Sequence, residues 1–205
     1  MKNNLTEIVF VIDRSGSMHG LETDTVGGFN SMITKQLELD GEALVSTVLF
    51  DSTSTVLHDR IPLEKVPTMT ENDYCPGGMT ALMDALGDAI HHISNIHKYA
   101  RPEDVPENTV FVITTDGLEN ASRRYSSDIV KKMIEERKSK FGWEFIFLAA
   151  NIDAVESAAT IGIAQSRSAS YRATSEGTDE LYRMMSDAIS FKRTGRNLDT
   201  GEWKK

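Results

Sequence analysis

Cysteine is nearly absent: Cys75 is alone in 205 residues, so the chain cannot close an intramolecular disulfide, and this usage fits a reducing compartment. Long apolar runs are absent too. The strongest, at 8–12 and 145–150, are strand-sized, far below the roughly 20 residues that cross a bilayer. The first residues run straight into the 8–12 stretch, which Asp13 ends too early for a secretory signal. A soluble, cytoplasmic protein with no membrane partner is therefore expected. The two sequons, at Asn4 and Asn120, are then chance matches. Basic residues are the minority charge, 22 Lys and Arg against 31 Asp and Glu, and the net charge of -9 repels nucleic-acid phosphates. The chain also lacks a Gly-x-x-x-x-Gly-Lys loop, a Gly-x-Gly-x-x-Gly loop, a Gly-x-Ser-x-Gly nucleophile elbow, internal repeats and low-complexity tracts.

What is present is an ordinary globular composition, 40% hydrophobic and 26% charged, at a length that suits one domain. Short β-branched or aromatic runs alternate with longer stretches of helical spacing. Strands are expected at 7–12, 43–50, 53–60, 109–115, 144–149 and 168–171, and helices at 21–39, 81–99, 126–141, 154–161 and 178–192. Most of the strands are almost wholly apolar, as required where helices cover both faces of a parallel sheet. Ala81, Leu82, Ala85, Ala89, Ile93 and Ile96 mark one helix face that packs on it. Asp51-Ser52 suits a tight hairpin, making 53–60 an antiparallel edge strand. The expected architecture is α/β: a doubly wound, mostly parallel central sheet with one antiparallel edge strand and helices on both faces. Residues 1–193 form the domain and 194–205 a polar tail, in which Trp203 either packs back or frays. The 63–79 stretch, with Pro67, Pro76, Gly77 and Gly78, is a long surface loop.

Three segments carry chemistry. Asp13-Arg14-Ser15-Gly16-Ser17 follows the first strand, Thr80 opens a helix after Pro76-Gly77-Gly78-Met79, and Asp116-Gly117 ends the 109–115 strand. Open α/β sheets bind ligands at such carboxyl edges. Alone, Asp-x-Ser-x-Ser is a capped polar turn; three such segments in order at successive strand ends argue for a site. The set resembles the metal-ion-dependent adhesion site of the von Willebrand factor A family, whose pattern is Asp-x-Ser-x-Ser, a distant Thr and a later Asp before Gly. The order of strands and helices follows that family along nearly the whole chain, in the manner of its bacterial intracellular single-domain members. The resemblance implies a metal held by Asp13, Ser15, Ser17, Thr80 and Asp116, with the aspartates often acting through water. Hydroxyl and carboxylate oxygens suit Mg²⁺, with Mn²⁺ or Ca²⁺ as alternatives, and suit zinc poorly. The resemblance further implies a protein-binding module, not an enzyme, whose partner offers an Asp or Glu to the ion. Asp51, Gly78 and Asn120 are candidates for the rim of the site.

Two other functions stay open. A Mg²⁺-dependent hydrolase of the haloacid dehalogenase type also places an Asp after its first strand, but its second Asp, two residues on, is Ser15 here, which removes the usual acid/base. A domain of this kind serving only as a structural subunit is the other. Cys75 on the 63–79 loop is either a reactive thiol or incidental, His91, His92 and His97 read as a solvated helix face, and Asn151-Ile152-Asp153-Ala154 reads as a helix start capped by Asp153. Neither the partner nor an oligomeric state is legible.

Overall fold

In the computed structural model, which describes residues 1–150 and 153–205 with the side chain of Asn3 excepted, six strands form one sheet. They are β1 (Lys2–Asp13), β2 (Glu42–Phe50), β3 (Ser54–Pro62), β4 (Pro106–Thr115), β5 (Glu144–Ala150) and β6 (Ser168–Tyr171). Their order is β3-β2-β1-β4-β5-β6, with only β2 and β3 antiparallel. The helices are α1 (Glu22–Leu37), α2 (Leu82–Tyr99), α3 (Ser127–Phe141), α4 (Ala154–Thr160) and α5 (Ser175–Arg193). The expected fold class is the one observed.

The pleat of β1 distributes the core. Ile8, Phe10 and Ile12 point into a layer shared with α1 and α5, while Val9 and Val11 point into one shared with α2, α3 and α4. Both faces are therefore buried, which is why the central strands read as continuous apolar runs. Local signals set the element ends. Ser126, Asp153 and Thr174 accept backbone N–H groups at the starts of α3, α4 and α5, and Gly142 closes α3 at a φ of 66°. The β2–β3 hairpin turns on Asp51, whose N–H donates to Thr53 O at 2.8 Å.

Three details depart from expectation, and one open alternative is decided. Strand β1 starts at Lys2 and not at Glu7, because the Lys2 N–H finds Val105 O at 2.7 Å across an irregular register that polar residues do not advertise. Loop 63–79 is anchored inward by Leu63, Met69 and Tyr74. His97 is not on a solvated face: it pairs with Glu7, a fully buried carboxylate that also binds Arg60 Nε at 2.5 Å. The tail packs back, with Trp203 fully buried in the α1/α5 layer and its Nε1 donating to Leu198 O at 3.2 Å. Asn151 and Ile152 lie outside the described residues; Asp153 caps α4 through Val155 N and Glu156 N.

Candidate metal centre

From β1 the chain runs outward through β2 to β3, and from β4 outward the other way through β5 to β6. The carboxyl ends of β1 and β4 are thus the point where the winding direction reverses, the place where open α/β sheets bind their ligands. Asp13 is the last residue of β1 and Asp116 directly follows β4; parallel pairing of Ile12 with Thr114 sets the two side by side.

Asp13 is held rigidly. Its Oδ1 accepts from Ser15 N at 2.7 Å, and its Oδ2 accepts from Thr115 Oγ1 at 2.7 Å and Asp116 N at 3.4 Å. Below it the Tyr74 hydroxyl donates to Asp13 O at 2.6 Å, and burial pushes that phenol well up, so it stays a donor. Ser17 Oγ donates to Asp116 Oδ1 at 2.7 Å, Ser15 Oγ lies 3.5 Å from the same oxygen, and the two serine hydroxyls are 3.2 Å apart. Thr80 completes the group from the other side: a Cβ on Gly117 would stand 3.6 Å from Thr80 Oγ1 and 4.0 Å from Ser17 Oγ. All five predicted residues are therefore brought to one place. Asp13, Ser15, Thr80 and Asp116 are buried, and Ser17 is exposed at the mouth.

The arrangement fits a hard divalent cation. Burial raises the Asp13 pKa, the hydrogen bonds from Ser15 and Thr115 offset part of that rise, and the nearby Asp116 charge adds to it. Among the described residues no basic side chain pairs with Asp13; the adjacent Arg14 turns away to Asp51 Oδ2 at 2.9 Å. Two acidic side chains lie beside three hydroxyl oxygens, a donor set of the kind that takes Mg²⁺, Mn²⁺ or Ca²⁺. Among the described residues no cluster of three or more His, Cys, Asp or Glu competes as a metal site.

The rim candidates Asp51, Gly78 and Asn120 each hold backbone around the site. Asp51 spends its carboxylate on Arg14 and on Thr53 N at 2.8 Å, while its carbonyl accepts Ala81 N at 2.8 Å. Gly78 sits at a φ of 72°, and its carbonyl accepts Gly16 N at 3.1 Å; a Cβ there would press on Ser52 Oγ. Asn120 Oδ1 accepts Thr80 N at 3.0 Å. Reasoning from sequence missed Thr115 and Tyr74. Thr115 adjoins Asp116 and was within reach of the motif; Tyr74 carries no local signal. Cys75 is exposed, with Sγ 3.6 Å from Glu71 O and Asn72 O.

No family model matches this sequence, and no curated protein matches it. Solved structures do. Proximal thread matrix protein 1 from the mussel byssus superposes with a TM-score of 0.62 at 16% identity, over 93% of this chain and 46% of that one. The same thread protein is also known with a zinc-occupied MIDAS motif, at a TM-score of 0.58 and 14% identity over 89% of this chain and 46% of that one. Manganese-loaded Plasmodium vivax TRAP protein gives 0.59 at 17% identity, over 88% of this chain and 73% of that one. The vWF domain of the type V pili tip protein Mfa5 from Porphyromonas gingivalis gives 0.61 at 11% identity, over 90% and 96%. This chain thus spans about half the length of the mussel protein. At these identities the shared property is the fold, which is that of von Willebrand factor A domains.

Proposed function

We propose that the chain is a von Willebrand factor A family member acting as a divalent-metal-dependent protein-binding module and not as an enzyme. Asp13, Ser15, Ser17, Thr80 and Asp116 would hold the ion, with Mg²⁺ the physiological choice. The observation that carries this reading is the meeting of three hydroxyls and two acidic side chains at the point where the sheet reverses its winding. When bound, the ion supplies a Lewis-acidic position for an outside oxygen ligand. The chain's own residues do the rest. Asp13 already accepts three protein hydrogen bonds, so it orients the Ser15 turn and supplies negative charge. The neutral hydroxyls of Ser15, Ser17 and Thr80 leave the ion's charge largely unquenched, which favours an Asp or Glu from the partner protein. The manganese- and zinc-loaded relatives in fold support a divalent ion in general. Among the described residues no helix is long and apolar enough to cross a membrane, and we read the protein as cytoplasmic from its single cysteine.

Titration calorimetry with Mg²⁺, Mn²⁺ and Zn²⁺ on wild type, Asp13→Ala and Thr80→Ala tests the metal. Wild type is expected to bind Mg²⁺ and both variants to bind it at least about 10-fold more weakly, since each loses a metal-holding group. Absence of binding to wild type would sink the reading. A phosphatase assay alongside it tests for chemistry: turnover abolished by Asp13→Ala would replace the binding module by a hydrolase.

A further inference from the structure

We propose that Glu119 and Asn120, neither of which offers an oxygen to the ion, are positioning residues that set metal affinity by fixing Thr80. This deepens the metal reading above and rests on it. Asp13 and Asp116 need no such help, because the β1–β4 ladder registers them. Thr80 belongs to no strand and follows the glycines at 77 and 78, so its place must come from elsewhere.

Loop 117–125 supplies it. Asn120 Oδ1 accepts from Thr80 N at 3.0 Å, and the N–H groups of Asn120 and Ala121 donate to Thr80 O at 3.0 and 3.2 Å, so both main-chain polar groups of Thr80 are taken by this loop. Glu119 then bolts the loop to α2. Its Oε2 accepts from Met83 N at 2.9 Å and Ser122 Oγ at 2.8 Å, and its Oε1 accepts from Ala121 N at 2.9 Å and Ser122 N at 2.7 Å. Met83 is the second residue of α2, whose early N–H groups have no partner within the helix and favour an anion. Asp84 returns the grip by accepting Arg123, Arg124 and Tyr125 N–H groups at 2.9 to 3.0 Å. Asp116 directly precedes this loop, so the residues that follow one proposed metal-holding side chain hold the backbone of another.

Removing a group that orients a metal-holding residue lowers affinity about 10- to 100-fold without removing any donor. The test uses Mg²⁺ alone in calorimetry, with thermal unfolding of each variant in EDTA as the measure of folding. Glu119→Ala and Asn120→Ala are expected to unfold cooperatively in EDTA and to bind Mg²⁺ about 10- to 100-fold more weakly than wild type. Asn120→Asp, which keeps an oxygen facing Thr80 N, should restore binding. In a Thr80→Ala background, Asn120→Ala should weaken binding no further, because its effect runs through Thr80. Unchanged affinity in Asn120→Ala, or full additivity with Thr80→Ala, overturns the proposal while wild-type binding upholds the metal reading. A wild type that binds no Mg²⁺ overturns both. Should Glu119→Ala fail to fold, the Asn120 variants decide alone.

Discussion

At the scale of single residues the buried polar groups matter most. Glu7 is wholly enclosed, and its two oxygens are taken by Arg60 from the edge strand and His97 from the end of α2. His97 in turn meets Trp143 edge-on at 5.4 Å. Breaking such a group by removing one charge leaves the partners desolvated and unmatched, so Glu7→Gln is expected to lower stability by about 3 kcal/mol, read from urea unfolding. His58 is a second case. It is buried against Phe29, with ring centroids 6.0 Å apart, and its Nδ1 lies 3.0 Å from Thr47 Oγ1. Burial lowers its pKa, a shift that the Asp73 charge partly opposes. The folded protein thus binds fewer protons at this position than the unfolded chain, whose histidine titrates at about 6.5, and the His58 contribution to stability falls as pH drops through that value. Urea unfolding between about pH 7.5 and about pH 5.5 should show a loss in wild type that is smaller in His58→Gln; equal losses would refute the assignment. Neither role was legible beforehand. Glu7 and His97 sit 90 positions apart, and only the docking of α2 brings them together.

Among the elements, the pairing of α1 with α5 is a contact sensitive to side-chain size. Gly28 faces the ring of Tyr182, which an added Cβ would overlap, while its neighbour Gly27 faces open space. Gly28→Ala is expected to destabilise by about 1–3 kcal/mol through overpacking. Gly27→Ala should stabilise by about 0.5–1 kcal/mol, because alanine loses less backbone freedom in a helix. Chemical denaturation of the two variants checks the opposite signs. Most element positions were readable because periodicity and caps agree: α3 was expected at 126–141 and spans Ser127–Phe141, and β6 has the expected bounds. Where they were not, the cause lies in distant partners. Residues 2–6 join β1 through main-chain pairing beside β4, and α5 starts at Ser175, three residues before the expected 178, because the Thr174 hydroxyl accepts Gly177 N at 3.2 Å. The site followed the same rule. Asp13, Ser15, Ser17, Thr80 and Asp116 were legible because two strand ends and one helix start together resemble a family motif, whereas the residues that hold them became visible only once the loops met.

For the molecule as a whole, the sheet divides two apolar layers, and the tail helps close one of them. Beyond α5, Leu198 and Trp203 enter the layer that holds α1, and Lys204 Nζ reaches Gln165 O at 2.6 Å. Arg167 bridges the same corner, with Nε 2.9 Å from Glu144 Oε2 and Nη1 2.6 Å from Asp199 Oδ1. The chain has two tryptophans; Trp203 lies on the α5 side of the sheet and Trp143 on the α3 side, both buried. Each half of the interior therefore carries its own fluorophore. In Trp143→Phe the emission reports only the layer closed by the tail, and in Trp203→Phe only the opposite one. Superimposable denaturation midpoints from the two, after correction for the stability of each variant, are expected if the sheet and its two layers melt as one cooperative unit. A lower midpoint in Trp143→Phe, where Trp203 alone reports, would reveal a tail-side layer that loosens first, a difference in light emission that the protein's own two indoles make visible without any label.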